Sequence, residues 1–162
     1  MKFKGIFWLF YLFSFIAGQA TPVWQDFDKP AFYNVLAYGN VDKVTAELTL
    51  IEASSIREKE AYAGVLLMKK AGLVSKPAEK LRLFKTGRIR LETALARDST
   101  NGEYHFLRLI IQEHAPKIVK YSADLEKDSK IIHHTFKSLT PAAKQAIIDY
   151  SQHSKVLRPE DF

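Results

Sequence analysis

The chain of 162 residues contains no cysteine. That excludes a disulfide framework, a thiolate metal site and a cysteine nucleophile. Glycine is scarce too, with 7 in the whole sequence, so a phosphate-cradling loop has little to be built from. No GxSxG elbow, Walker loop, Rossmann glycine pattern or HExxH pair occurs. No segment alternates with period two over a useful length, and no turn chemistry marks a hairpin. Neither strands nor a cofactor are expected.

What is present suits one folded domain. Hydrophobic residues make up 47% and charged residues 26%, a balance that disordered chains lack. The first twenty residues have a composition of their own. Lys2 and Lys4 open the chain, Ile6–Ala17 is apolar except for Ser14, and Gly18-Gln19-Ala20 follows. This is the three-part pattern of a secretory signal peptide, with the cut expected after Ala20. The apolar run falls short of the roughly 20 residues of a spanning helix. An uncleaved leader is therefore the only membrane attachment to consider. Cleavage removes two lysines and no acid, which lowers the formal charge from +6 to about +4 and leaves no case for nucleic acid in the pI. A cysteine-free exported domain over 21–162 suits a periplasm or an extracellular space and is held together by packing.

The apolar period of that domain is helical throughout. Helices are predicted at about 29–38 after Asp28, 41–53 after Asn40, and 56–71 after the capping box Ser55-Ile56-Arg57-Glu58. Further helices are predicted at 77–97, with Leu81, Phe84, Leu91 and Leu95 inward, and at 101–114, opened by Thr100 with Glu103 three residues on. The last two are predicted at 123–139 and at 141–152, the latter capped by Thr140, before an extended tail over 156–162. Pro30, Pro77 and Pro141 stand where a first turn tolerates a missing amide hydrogen. Gly64 and Gly87 fall inside helices, where glycine marks a close crossing. The expectation is an all-α fold of about seven helices, with short connections that make neighbours antiparallel.

The stretch Gly87–Asn101 (GRIRLETALARDSTN) resembles the second helix and following turn of a tetratricopeptide repeat. Gly87 is the small residue, Leu91 the large apolar one, Ala94-Leu95 the Ala-Leu pair, and Asp98 and Asn101 bracket the turn. Ser99 takes the place where that family favours proline. The preceding helix, with Tyr62, Gly64 and Leu66, resembles a first helix of the same kind. The resemblance implies helical hairpins stacked as a short array or bundle. The segments Glu60–Leu73, Phe106–Lys117 and Gln145–Phe162 also resemble a family of small exported bacterial helical proteins with no assigned activity.

The helix over 101–114 carries the main candidate residues. Its apolar side chains wrap most of the circumference, while His105, Arg108 and Gln112 fall at i, i+3 and i+7 on one stripe. Such a stripe either lines a groove, with Arg108 as an anion anchor, or pairs with a carboxylate of an adjacent helix. The basic region 69–97 holds nine Lys or Arg against Glu79 and Glu92. These charges spread around both flanks and lack interleaved aromatics, so a solvated face is expected in place of a nucleic-acid site. The five histidines show no ligand spacing, and no metal is expected. Asp124, Glu126 and Asp128 alternate like a calcium loop but lack its glycine, and acids in a first helical turn favour the macrodipole in any case. The function expected is a binding module for a protein or peptide. The alternative is an enzyme or enzyme subunit acting on an acidic small molecule or glycan near Arg108 and His105.

Overall fold

The computed structural model describes residues 27–162. The expected leader and its cut lie outside the described residues. Among these there are seven α-helices and no strand: α1 (Lys29–Tyr38), α2 (Val41–Ala53), α3 (Lys59–Leu73), α4 (Pro77–Arg97), α5 (Gly102–His114), α6 (Leu125–Thr135) and α7 (Pro141–Ser151). No helix among the described residues is long and apolar enough to cross a membrane.

Local chemistry sets most boundaries. Asp28 caps α1 by accepting from the Ala31 amide at 3.0 Å, and Asn40 caps α2 by accepting from Lys43 at 2.9 Å. Thr140 does the same for α7 at Ala143, at 3.3 Å. Each side chain satisfies an amide that the first helical turn leaves without a partner. Pro77 opens α4 at its first position.

Four expectations about helix ends and the tail need correction. The capping box at Ser55 does not form, and α3 begins at Lys59. The Glu58 carboxylate turns to Lys29 Nζ (3.5 Å) and so does not close the box. Glu103 does not cap α5 either; Asn101 does, accepting from the Tyr104 amide at 3.2 Å. The sixth helix is shorter than its period suggests, and Phe136–Ser138 tighten into a 3₁₀ turn. The tail is not extended throughout, because Pro159–Asp161 form another 3₁₀ turn.

One contiguous core runs through the described residues, with Phe32, Tyr62, Leu66, Leu91, Phe106, Leu107 and Ile147 among its buried members. Helix α5 lies at its centre and is buried on nearly every side. The α3–α4 hairpin crosses most closely at Gly64 and Gly87. A Cβ on Gly64 would lie 2.8 Å from Gly87 O, and one on Gly87 would lie 2.8 Å from Met68 Cγ. The two glycines let the backbones meet where any side chain would hold them apart.

That crossing fixes the rotation of α4. Its inward line is Leu83, Gly87 and Leu91, in four-residue steps. Leu81, expected inward, stands two residues away from that line and so about 200° around the helix. It is 50% exposed. Phe84 is half-buried, packing edge-on against Tyr121 at 5.8 Å between ring centroids.

Candidate functional site

The stripe His105, Arg108 and Gln112 does stay on one side of α5, but α6 covers it. All three side chains are buried and converge on Asp128, which is fully enclosed. Arg108 grips both carboxylate oxygens, Nη2 to Oδ1 at 2.6 Å and Nε to Oδ2 at 2.9 Å. His105 Nδ1 lies 2.6 Å from the same Oδ1, and its Nε2 lies 2.9 Å from the carbonyl oxygen of Ser99. Both ring nitrogens thus face acceptors. Gln112 Nε2 approaches Oδ2 at 3.5 Å, and its Oε1 accepts from the Asp124 amide at 3.2 Å, at the start of α6.

The remaining Arg108 nitrogen, Nη1, reaches Glu92 at 3.1 Å and Asp124 at 3.6 Å. Burial by itself would lower the guanidinium pKa. The Asp128 hydrogen bonds and the charges of Asp128, Glu92 and Asp124 outweigh this and hold it above the usual arginine value. Glu92 also accepts from Tyr121 OH at 2.5 Å. Burial, then this bond, pushes the Tyr121 phenol up. The arrangement joins α4, α5, α6 and the α5–α6 connector through one guanidinium. Each of its three nitrogens is turned to a carboxylate of the protein, and the side chain is buried, so little of the guanidinium is left to an incoming anion.

Two further carboxylates on α5 act in the same way, and the sequence pattern did not reveal either. Glu103 is buried and accepts from Tyr62 OH (2.5 Å), Tyr33 OH (2.8 Å) and Lys29 Nζ (3.0 Å). It ties α1 and α3 to α5 beneath a stack in which the Phe32 and Tyr62 ring centroids are 4.3 Å apart. Burial, reinforced by the negative Glu103, raises the Tyr33 and Tyr62 phenols well above the usual tyrosine range. Glu113 accepts from Tyr150 OH, Ser154 Oγ and the Lys155 amide, each at 2.7 Å. It thereby clasps α7 and the C-terminal segment to the end of α5, and Leu157 is buried below. The one hint in the sequence was an acid at each end of a helix otherwise occupied by large apolar side chains.

Among the described residues, no group of three or more His, Cys, Asp or Glu is placed to hold a metal ion. His133 stacks on Phe162, with ring centroids 4.8 Å apart. His105 is committed to Asp128, and His114 to the Ile110 carbonyl at 2.9 Å. Two partly open surface depressions lie beside Tyr121 and beside Tyr104.

The outer side of α4 is a surface of a different kind. Leu81 and Ile89 are 50% and 67% exposed. Lys80, Arg82, Lys85 and Arg88 surround them, all exposed. None of these four cations forms an ion pair among the described residues, whereas Arg90 on the same helix is held by Glu52 and Glu60. Arg88 lies over the Tyr121 ring at 4.7 Å from its centroid. The first half of α4 packs on α3 and, through Phe84 and Arg88, on Tyr121, and leaves Leu81, Lys85 and Ile89 to solvent. No family model, curated protein or solved structure matches the chain.

Proposed function

We propose that the chain is an exported helical-repeat-like protein that binds another protein or a peptide. The observation that carries this is the outer side of α4, where two large aliphatic side chains and four unpaired cations share one solvent-facing helix surface. Among the arginines, Arg57, Arg90, Arg108 and Arg158 are held by carboxylates, whereas Arg82 and Arg88 on this surface are not. Exposed aliphatic residues grouped with charge of one sign mark contact surfaces. The stacked helical hairpins supply a rigid support for such a surface. The enzyme alternative draws less support, because Arg108 and His105, which it would use, are buried and turned to Asp128.

Site-specific photo-crosslinking in the producing cells tests this. A photoreactive residue in place of Lys85 is expected to yield a protein adduct of discrete mass. The same probe in place of Asp149, on α7, is expected to yield none. Equal labelling from both positions, or none from Lys85, counts against a binding module.

A further inference from the structure

We infer that the outer side of α4 seats an acidic amphipathic helix, one with aliphatic, acidic and aliphatic residues at successive four-residue steps. The inference rests on the binding reading and specifies its partner. Leu81, Lys85 and Ile89 recur at i, i+4 and i+8 and so form a single ridge along the helix. This ridge stands opposite the buried line Leu83–Gly87–Leu91, which has the same step and is displaced by two residues, or about 200°. The α3 crossing at Gly64 and Gly87 thus fixes which residues face outward, and no rearrangement of α4 is needed to expose them.

Ridges of four-residue step are what helices present to one another's grooves. From Leu81 to Ile89 the ridge covers about 12 Å, two helical turns. A partner helix lying along it buries both aliphatic side chains. It also sets an acid opposite Lys85 and others opposite Arg82 and Arg88, none of which has an ion-pair partner in the described residues. The unpaired charge beside this ridge is positive, the unpaired acid of α4, Glu79, lying on the line of Leu83 and Gly87 on the other side, so the complement is negative.

The position of Lys85 decides between a helix and a lipid bilayer. A membrane-seated surface helix keeps its apolar residues together and its cations at the edge. Here a cation lies midway along the ridge, between the two aliphatics, and insertion would drag it towards hydrocarbon. An acid on a partner helix meets it directly. Nucleic acid has no use for the aliphatic ends of the ridge.

The test uses the protein produced from its full reading frame. The probe is a fluorescent alanine-based helical peptide of about 20 residues, carrying Leu, Glu and Leu at four-residue spacing with flanking glutamates. Controls are the same peptide with lysine for glutamate, the same peptide with serine for leucine, and phosphatidylglycerol vesicles. The acidic peptide is expected to bind and to shift backbone amide resonances within Lys80–Ile89. Both L81S with I89S and K85E are expected to weaken it by about tenfold or more. Absence of binding overturns the inference, as does binding that ignores L81S with I89S or that survives in the serine peptide. Preference for the vesicles overturns it in favour of a membrane surface. If crosslinking from position 85 captures a discrete protein while the acidic peptide fails to bind, the binding module stands and only the partner chemistry falls. If crosslinking from that position also fails, both fall together.

Discussion

Arg108 and Asp128 meet through two hydrogen bonds, 2.6 and 2.9 Å long, between a guanidinium edge and a fully enclosed carboxylate. Had the Arg108 stripe lined a groove, Arg108→Ala would leave folding intact. The pairing predicts the opposite. Removing Arg108 leaves the enclosed Asp128 with only His105 and Gln112 beside it, and removing Asp128 leaves the buried Arg108 with only the more exposed Glu92 and Asp124; breaking such a pair costs about 3–5 kcal/mol. Arg108→Ala and Asp128→Ala are each expected to lower Tm by about 10 °C or more. The double variant Arg108→Met with Asp128→Leu is expected to lose far less than the two single changes together. Thermal denaturation of the three variants checks this; additive losses would show that the two groups act independently.

Alkali is expected to unfold the protein cooperatively. Burial beside Glu103 raises the Tyr33 and Tyr62 phenols, and burial with the bonds to Glu92 and Glu113 raises Tyr121 and Tyr150. The folded state therefore holds protons that the unfolded chain gives up near the ordinary tyrosine value of about 10. Stability from these groups is complete below that pH and declines as pH rises above it. For the enclosed Tyr33 and Tyr62 the decline is about 1.4 kcal/mol per pH unit each. Phenolate absorbance and helical circular dichroism, recorded together, are expected to change in one transition. Ionisation of these tyrosines with the helical signal intact would contradict this.

The three helix-interior glycines are expected to respond to alanine in opposite ways. A Cβ at Gly64 or Gly87 collides with the facing helix, while a Cβ at Gly72 meets nothing within 4 Å. Gly64→Ala and Gly87→Ala should each destabilise by about 1–3 kcal/mol through forced separation of α3 and α4. Gly72→Ala, near the end of α3, should stabilise by about 0.5–1 kcal/mol, because alanine has less backbone freedom to lose. Urea unfolding of the three variants gives the signs.

Lys120 sits at φ 46° and ψ 52°, the one non-glycine residue with positive φ among those described. A side chain costs about 1–2 kcal/mol in that region, and glycine avoids most of the cost. Lys120→Gly is expected to raise stability by about 1 kcal/mol, whereas Lys120→Val is expected to lower it. Paired chemical denaturation curves decide the matter.

The elements were legible where capping chemistry is local. Asp28, Asn40, Pro77 and Thr140 mark their helices from within a turn, and α1, α2 and α4 lie where they were expected. Ser55 misleads because the Glu58 that completes its box is drawn to Lys29, from a helix 29 residues away in sequence. Leu81 misleads because apolar periodicity alone does not say which of two lines of side chains faces the neighbour; the Gly64–Gly87 approach does. The His105–Arg108–Gln112 stripe was visible as a polar line on an apolar helix. Its partner was not, since Asp128 stands in a first turn where an acid already has a local explanation. Glu103 reads as a capping acid for a similar reason: the phenols that it binds are 41 and 70 residues distant.

The clasp at Glu113 has a consequence for the order in which the fold can be completed. Ser154, Lys155 and Leu157 close the far end of α5, so a chain threaded N-terminus first through a ribosome or a translocation pore lacks that closure until these residues emerge. Until then Glu113 has no phenol, hydroxyl or amide to receive, and the pocket awaiting Leu157 stays wet. A polypeptide delivered in this direction gains this closure only after Leu157 has emerged.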